Sequence, residues 1–485
     1  MNGELSWNFS LANYGPVWSF MVQLGLLLFF LLVGNTLRRK IAIFRKGLVP
    51  SALLGGTVLL LLNIITKNLL GFSMVNHQLM QVITYHCLAI GFAAMTLKTE
   101  RCTHRTQRIQ VAEFGALQGG TYMLQAFIGL GITLLMFFFT TGAGGKAISY
   151  ICGLILPLAF GQGPGNALSW DINFTNTPAA QFAGNGSFGL SLASIGFVVA
   201  SVFGVLYINI HKKMGNLKVR SGRPVDALEN QVEQNEIPDN ESVDKFTLQV
   251  GFVALAYALS FGFMCLLGVI SDFTNSIAWG FNFLWASLGA MLIKAVVKRL
   301  RKHNLMHRGY INNYQMDRIS GFAFDLMIVA GVSAIEINDI RGYILPIVIL
   351  SVAGALITYV YIRLVSKECF KGFEHEFFLM SYGTLTGTAS NGMILTKEID
   401  PALRTPTSSL YILSNFPAMI MIAPLLLLLG FAGKSLTNAI IACAIFFVLW
   451  LAYTLFLFRR RIFKKYYKDK PVPVWQDAAE QASEE

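Results

Sequence analysis

The chain has 485 residues, 54% of them hydrophobic and only 13% charged, against roughly a quarter charged in a soluble domain. This excludes an ordinary globular protein and points to a polytopic membrane protein. The formal charge of +12 does not mark a nucleic-acid binder, because Lys and Arg stand in short blocks between apolar runs, where they act as topology signals.

Windows of about 20 apolar residues, enough to cross a hydrocarbon core of about 30 Å, fall near 16–37, 49–66, 79–97, 111–139, 182–210, 246–270, 278–297, 319–336, 342–365, 407–431 and 436–458. The first follows Glu4 rather than a basic segment and precedes Arg38, Arg39 and Lys40, so it is expected to remain as a span and not be cleaved. Two further stretches, 148–170 and 376–395, are interrupted by Gly161-Gln162-Gly163-Pro164-Gly165-Asn166-Ala167 and by the glycine- and hydroxyl-rich run Gly383 to Gly392. Non-helical backbone inside a bilayer leaves peptide groups unpaired, so it is tolerated only where it is buried in protein or lines a polar cavity. One such break in each half is the sequence pointer to a secondary transporter.

With the amino terminus outside and each break returning to its own side, the basic blocks at 38–46, 98–108, 212–245, 298–318, 363–371 and 459–470 all fall inside. Only Lys67, Lys146, Arg341 and Lys434 fall outside. Residues 211–245 hold seven acids and few aromatics, the composition of a solvated linker. It divides a first repeat, 1–210, from a second, 246–432, each with five spans and one break. Five being odd, the halves are inverted. The second span of each carries small residues, Ala52 to Gly56 and Ala286 to Ala290, and the breaks share Gly-x-x-x-Gly-x-Ala. Residues 433–485 form an extra span and a basic tail. The expected fold is therefore all-α: two inverted five-helix repeats, each with a re-entrant hairpin, plus one additional transmembrane helix.

The run Gly47-Leu48-Val49-Pro50-Ser51-Ala52-Leu53-Leu54-Gly55-Gly56, the break Gly161 to Trp170, the run Ser187-Phe188-Gly189-Leu190-Ser191-Leu192 and the break at 383–392 together resemble the bacterial sodium/glutamate symporter family over residues 16–432. The resemblance implies two re-entrant loops meeting at the midplane, a homodimer in the bacterial cell membrane, and elevator-like movement of a transport domain against a scaffold. It also implies glutamate or a similar small carboxylate or amino acid as substrate, and sodium as coupling ion. The chain departs from the family pattern at Gln162, where a histidine is expected, at Pro164, where threonine is expected, and around Met421, where apolar residues replace a carboxylate. A hydroxy or keto acid, or proton coupling, is the alternative.

Helix-end N–H groups at a break suit a carboxylate, and unwound carbonyls with hydroxyls suit sodium. The candidate substrate residues are Gly161, Gln162, Gly163, Gly165, Asn166, Gly383, Thr384, Thr386, Gly387, Thr388, Ser390 and Asn391, with Arg404 on an inner entry path. The other reading of the glycines is close helix packing. Asp325 and His86 occupy similar positions in the third span of each half and are candidates for ion or proton coupling. A structural pair for Asp325 and a satisfied core histidine for His86 are the alternatives. Asn185 and Asn415 follow the breaks and are candidates to face them, or to bond a neighbouring helix. Trp170 and Asp171 are expected near the outer surface, and Glu113 and Lys294 at span ends, where long side chains reach the interface.

No cofactor is expected. The six cysteines stand singly, without metal-ligand spacing. No GxxxxGK[ST] loop is present, so pumping by nucleotide hydrolysis would need a partner chain. An embedded enzyme has as its best signal His375-Glu376-Phe377-Phe378-Leu379, which places Leu379 where a zinc site needs its second histidine. A channel would show rings of like charge or a repeated filter.

Overall fold

The computed structural model describes residues 16–98, 105–142, 148–177, 181–217, 219–220, 244–306 and 309–463. Most of the acidic linker, the loop with Lys146 and the tail from 464 lie outside the described residues. The regular elements are helices: α1 (Pro16–Lys40), α2 (Ala42–Lys46), α3 (Ser51–Leu69), α4 (His77–Leu97), α5 (Arg105–Gly142), α6 (Ile155–Gly161), α7 (Pro164–Thr175), α8 (Ser187–Lys213), α9 (Lys245–Gly268) and α10 (Asp272–Gly280) come first. After them come α11 (Asn282–Lys302), α12 (Asn313–Ser333), α13 (Ile337–Ile340), α14 (Ile344–Cys369), α15 (Glu374–Thr386), α16 (Ala389–Lys397), α17 (Thr407–Ala432), α18 (Leu436–Leu457) and α19 (Arg459–Ile462).

Among the described residues, eight helices are long and apolar enough to cross a membrane, or nine with α17, whose two parts meet at 50°. Pro417 lies at that bend, where the ring removes a helical hydrogen bond and clashes with the preceding turn. All eleven expected windows hold a helix, but α11 and α12 are not among the eight. Lys294, Lys298, Arg299, Arg301 and Lys302 dilute the first, and Asp317, Arg318 and Asp325 the second. Asn63, Ser73 and the backbone of Met74 and Val75 close the turn after α3. Asn76, Asp244, Asn312 and Ser435 cap α4, α9, α12 and α18 by accepting first-turn N–H groups.

Small residues set the closest approaches. A methyl on Gly55 would lie 2.3 Å from the Phe30 carbonyl of α1, and one on Gly56 2.8 Å from Val332 of α12. In the other half, a methyl on Gly289 would lie 2.5 Å from the Ala256 carbonyl of α9. The helix α3 thus packs on α1 and α12, and α11 packs on α9 and α4. On the far side, α5 is the spine against which α14, α17 and α18 pack. Its 38 residues span about 57 Å at 1.5 Å per residue.

Two helical hairpins fill the space between these groups. In the first, a 3-10 turn at Tyr150–Leu154 and α6 descend beside α5, and α7 returns. Tyr150 bonds Thr133 through its carbonyl, Gly161 bonds the Tyr122 hydroxyl, and Phe174 ends near Gly433. The second comes from the opposite end. Phe377 in α15 stacks on Phe370 near Phe114, and the Leu385 carbonyl accepts from Gln125 halfway along α5. The other arm, α16, returns so that Gly383 and Gly392 face each other, with only 2.6 Å between a methyl placed on the first and the Cα of the second.

Candidate functional site

The two breaks meet beside the middle of α5. Gly163 has φ +79 and ψ −173, a conformation open to glycine almost alone. A methyl there would lie 3.6 Å from both Thr388 Cγ2 and Met327 Cε. Gly163 and Thr388 are the N-cap residues of α7 and α16, and neither helix carries a side-chain cap. The Thr388 hydroxyl is buried and makes no protein hydrogen bond, although threonine at this position ordinarily caps its helix. Two helix N-termini without side-chain caps, one of them opening on Pro164, therefore converge where the chain brings its amides and hydroxyls together.

Around the tips, Asn166 donates to Gln162 Oε1 at 2.8 Å and leaves its own oxygen without a protein partner. Asn391 is 3% exposed, and both its amide atoms lack protein partners. Gln125 donates to Thr358 and to the Leu385 carbonyl while its oxygen stays unpaired. Buried polar groups are nearly always satisfied, so this concentration of unpaired ones at two helix breaks marks a place prepared for something polar. Thr384 and Thr386 instead bond carbonyls four residues back, at 2.7 and 2.6 Å, and Ser390 is half-buried at the start of α16.

Beside the tips lies a cavity of about 60 Å³ whose lining includes Gly161, Gln162, Thr384, Gln118, Tyr122 and Asn415. Its remaining wall comes from α4, α11 and α17, including Phe92, Thr96, Ser287 and Tyr411, and no titratable acid, lysine, arginine or histidine lines it. Sequence reasoning picked Gln162, Thr384 and Asn415 but missed the α5 wall. Gln118, which donates to Ser414, and Gln125 lie seven residues apart on one face of an apolar helix, and intramembrane amides at that spacing were the available signal.

Several glycines pack as the alternative reading had it. Methyls would strike the Tyr122 ring at Gly161, Leu88 at Gly165 and the Asn391 amide at Gly387. Asp325 and His86 are not brought to the tips. Asp325, Val329 and Val332 share one face of α12 by helical period. The two valines lie against Gly56 of α3, and the electrostatic partner of Asp325 is Arg38 of α1. Met327 and Gly331, on the opposite face, are the residues near Gly163 and Pro164. His86 bonds the Tyr257 hydroxyl of α9, on the side of α4 away from Leu88 and Phe92. Asn185 is an exposed turn residue with φ 48, its carbonyl held by Gln81. Arg404 is exposed at the base of the second hairpin, its N–H bonded to Asp400.

Other expectations are corrected. Trp170 and Asp171 are fully buried: Trp170 packs on Phe174 and Phe281, and Asp171 accepts the Gly189 N–H at 2.7 Å and so caps the start of α8. Glu113 is buried against Arg459 at 2.7 Å, and Lys294 donates to the Thr96 and Lys98 carbonyls that end α4. In the near-zincin run, His375 bonds Tyr207, and Glu376 pairs with Arg220 at 2.7 Å. No family model matches the chain, and no match is found among curated proteins.

Proposed function

We propose that the protein is a secondary active transporter that carries glutamate or a similar small carboxylate or amino acid, coupled to sodium, by an elevator-type mechanism. The observation that carries this reading is the meeting of two helix breaks, with uncapped N-termini and unpaired Asn166, Thr388 and Asn391 groups, inside an otherwise apolar helical body. Helix N-termini stabilise a carboxylate without a basic side chain, and hydroxyl, amide and carbonyl oxygens are sodium ligands. The hairpins are re-entrant loops of inverted repeats. In support, the second helix of each half packs on the first of its own half and on the third of the other. Rocking or sliding of the hairpin group along α5 would enlarge the small cavity toward one side at a time.

A second reading, a hydroxy or keto acid, has its own support. The cavity wall offers no carboxylate to a substrate ammonium. No carboxylate or histidine is among the described residues of that wall, which favours sodium over proton coupling.

Reconstitution in proteoliposomes tests the proposal. Saturable uptake of labelled glutamate driven by an inward sodium gradient, and abolished by potassium replacement, is the expected result. Sodium-driven uptake of 2-oxoglutarate or malate but not glutamate selects the second reading. Accumulation of none of these under any sodium gradient rejects both.

A further inference from the structure

The helix beyond the two repeats, α18, joins α5 at one end of the molecule through arginines, and what surrounds that junction has no part in the tip site. Arg459, at the start of α19, donates to Glu113 Oε1 at 2.7 Å and to the Phe456 carbonyl at 2.7 Å, and its guanidinium lies 4.2 Å from the Phe456 ring centre. Arg460 approaches the same carboxylate at 3.7 Å. Beside this pair opens a cavity of about 680 Å³ lined by Arg108, Ile109, Ala112, Phe456 and Arg459. Arg108 and Arg461 are exposed.

From this geometry we infer that the α5–α18 junction is a binding site for the phosphate headgroup of an anionic phospholipid. Charge comes first. Arg459 and Arg460 lie against Glu113, with Glu368 near the same Cys369, while Arg108 lines the opening and Arg461 follows as an exposed cation, so four guanidiniums stand in this region against two carboxylates. An excess of positive charge remains beside the opening. The chain continues basic through Lys464, Lys465, Lys468 and Lys470, and such clusters directly after a membrane helix are attracted to anionic lipid. Shape comes second. The floor of the pocket is apolar at Ile109, Ala112 and Phe456, and it continues onto the exposed apolar residues Leu455, Leu451 and Val448 of α18. A headgroup held by Arg108 and Arg459 would therefore lay its acyl chains along a helix that already faces lipid. A soluble anion would use the cations but leave that track empty, so the occupant is the lipid.

The site gives α18 a role independent of the substrate: it clamps α5, the spine beside both hairpins, through a lipid as well as through Glu113.

The test is thermal unfolding of the purified full chain in detergent, titrated with phosphatidylglycerol, with phosphatidylcholine, or with inorganic phosphate. Phosphatidylglycerol should raise the melting temperature while the other two leave it unchanged. Arg108→Gln should weaken the response about fivefold, the effect of roughly one interfacial cation, without changing the melting temperature in phosphatidylcholine. Arg45→Gln removes an exposed charge elsewhere and should leave the response intact. Equal effects of the two lipids, equal effects of the two substitutions, or a matching response to inorganic phosphate would each overturn the inference. Native mass spectrometry of lipid retained by the unmutated chain gives a second readout, and retention of zwitterionic and anionic lipid in equal amounts would also overturn it.

Discussion

Thr388 concentrates the chemistry of the site at the scale of one residue: a hydroxyl at a helix start, 8% exposed, that neither caps its helix nor bonds a neighbour. Replacing it by valine keeps the shape and removes only the oxygen. Since no protein bond is lost, Thr388→Val should change stability by no more than about 1 kcal/mol, read by thermal unfolding, while sodium-driven uptake falls by about tenfold or more, the cost of one lost polar contact to cargo. Uptake at the original rate would remove Thr388 from the site. Gly163→Ala should act in the opposite way. Its backbone conformation is strained for any L side chain, so destabilisation of about 1–3 kcal/mol is expected, read by thermal unfolding. Both positions were legible in the sequence because a break announces itself through Gly and Pro. Gln118 and Gln125 were readable only from their seven-residue spacing on one face of α5, because an amide in a continuous helix disturbs no local pattern. Asp325 and His86 were conspicuous for their charge, yet the faces they occupy follow from the phase of α12 and α4 against neighbours far away in sequence.

The second hairpin shows how elements are anchored from outside their own segment. Its base is held by Arg220, which pairs with Glu376, donates to the Gly372 carbonyl and bonds the Ile399 carbonyl through its N–H. One residue beyond α8 thus ties both arms of the α15–α16 pair. Glu376 is 4% exposed, and removing one partner of a buried ion pair strands the other. Arg220→Ala should therefore cost about 3–5 kcal/mol, measurable as a fall in melting temperature, and Glu376→Gln on the same background should recover a large part of it. No recovery would mean that the loss comes from the backbone bonds and not from the stranded charge. The hairpin itself was readable as a break flanked by apolar residues. Its anchor was not, since Arg220 stands among many basic residues after α8 and nothing local distinguishes the one that docks. The same limit applies to Asp171, which looks like a loop acid but caps α8 from within.

Across the whole molecule, charge and packing answer different questions about α12. Its composition fails as a lone membrane helix because of Asp317, Arg318 and Asp325, yet the sequence window and its alternation with basic loops predict that it crosses. Packing resolves the conflict: α12 lies against α3 and α4, most of its second half is buried, and Lys98, just past the end of α4, pairs with Asp317 at 2.7 Å. A helix inside the bundle needs little lipid-facing apolar surface, which is why a hydropathy window undervalues it. Its two ends also differ in charge. The start adjoins the basic ends of α4 and α11, whereas beyond its far end Glu336 pairs with Lys67 and His77. By the excess of cations, the positive-inside rule predicts that the first end faces inward. In a background with the native cysteines replaced, a membrane-impermeant maleimide should then label Asn338→Cys in intact cells and His303→Cys only after permeabilisation, both positions being exposed. Labelling of both in intact cells would mean that α12 does not cross. The reverse pattern would invert the orientation, and with it the side from which each hairpin opens.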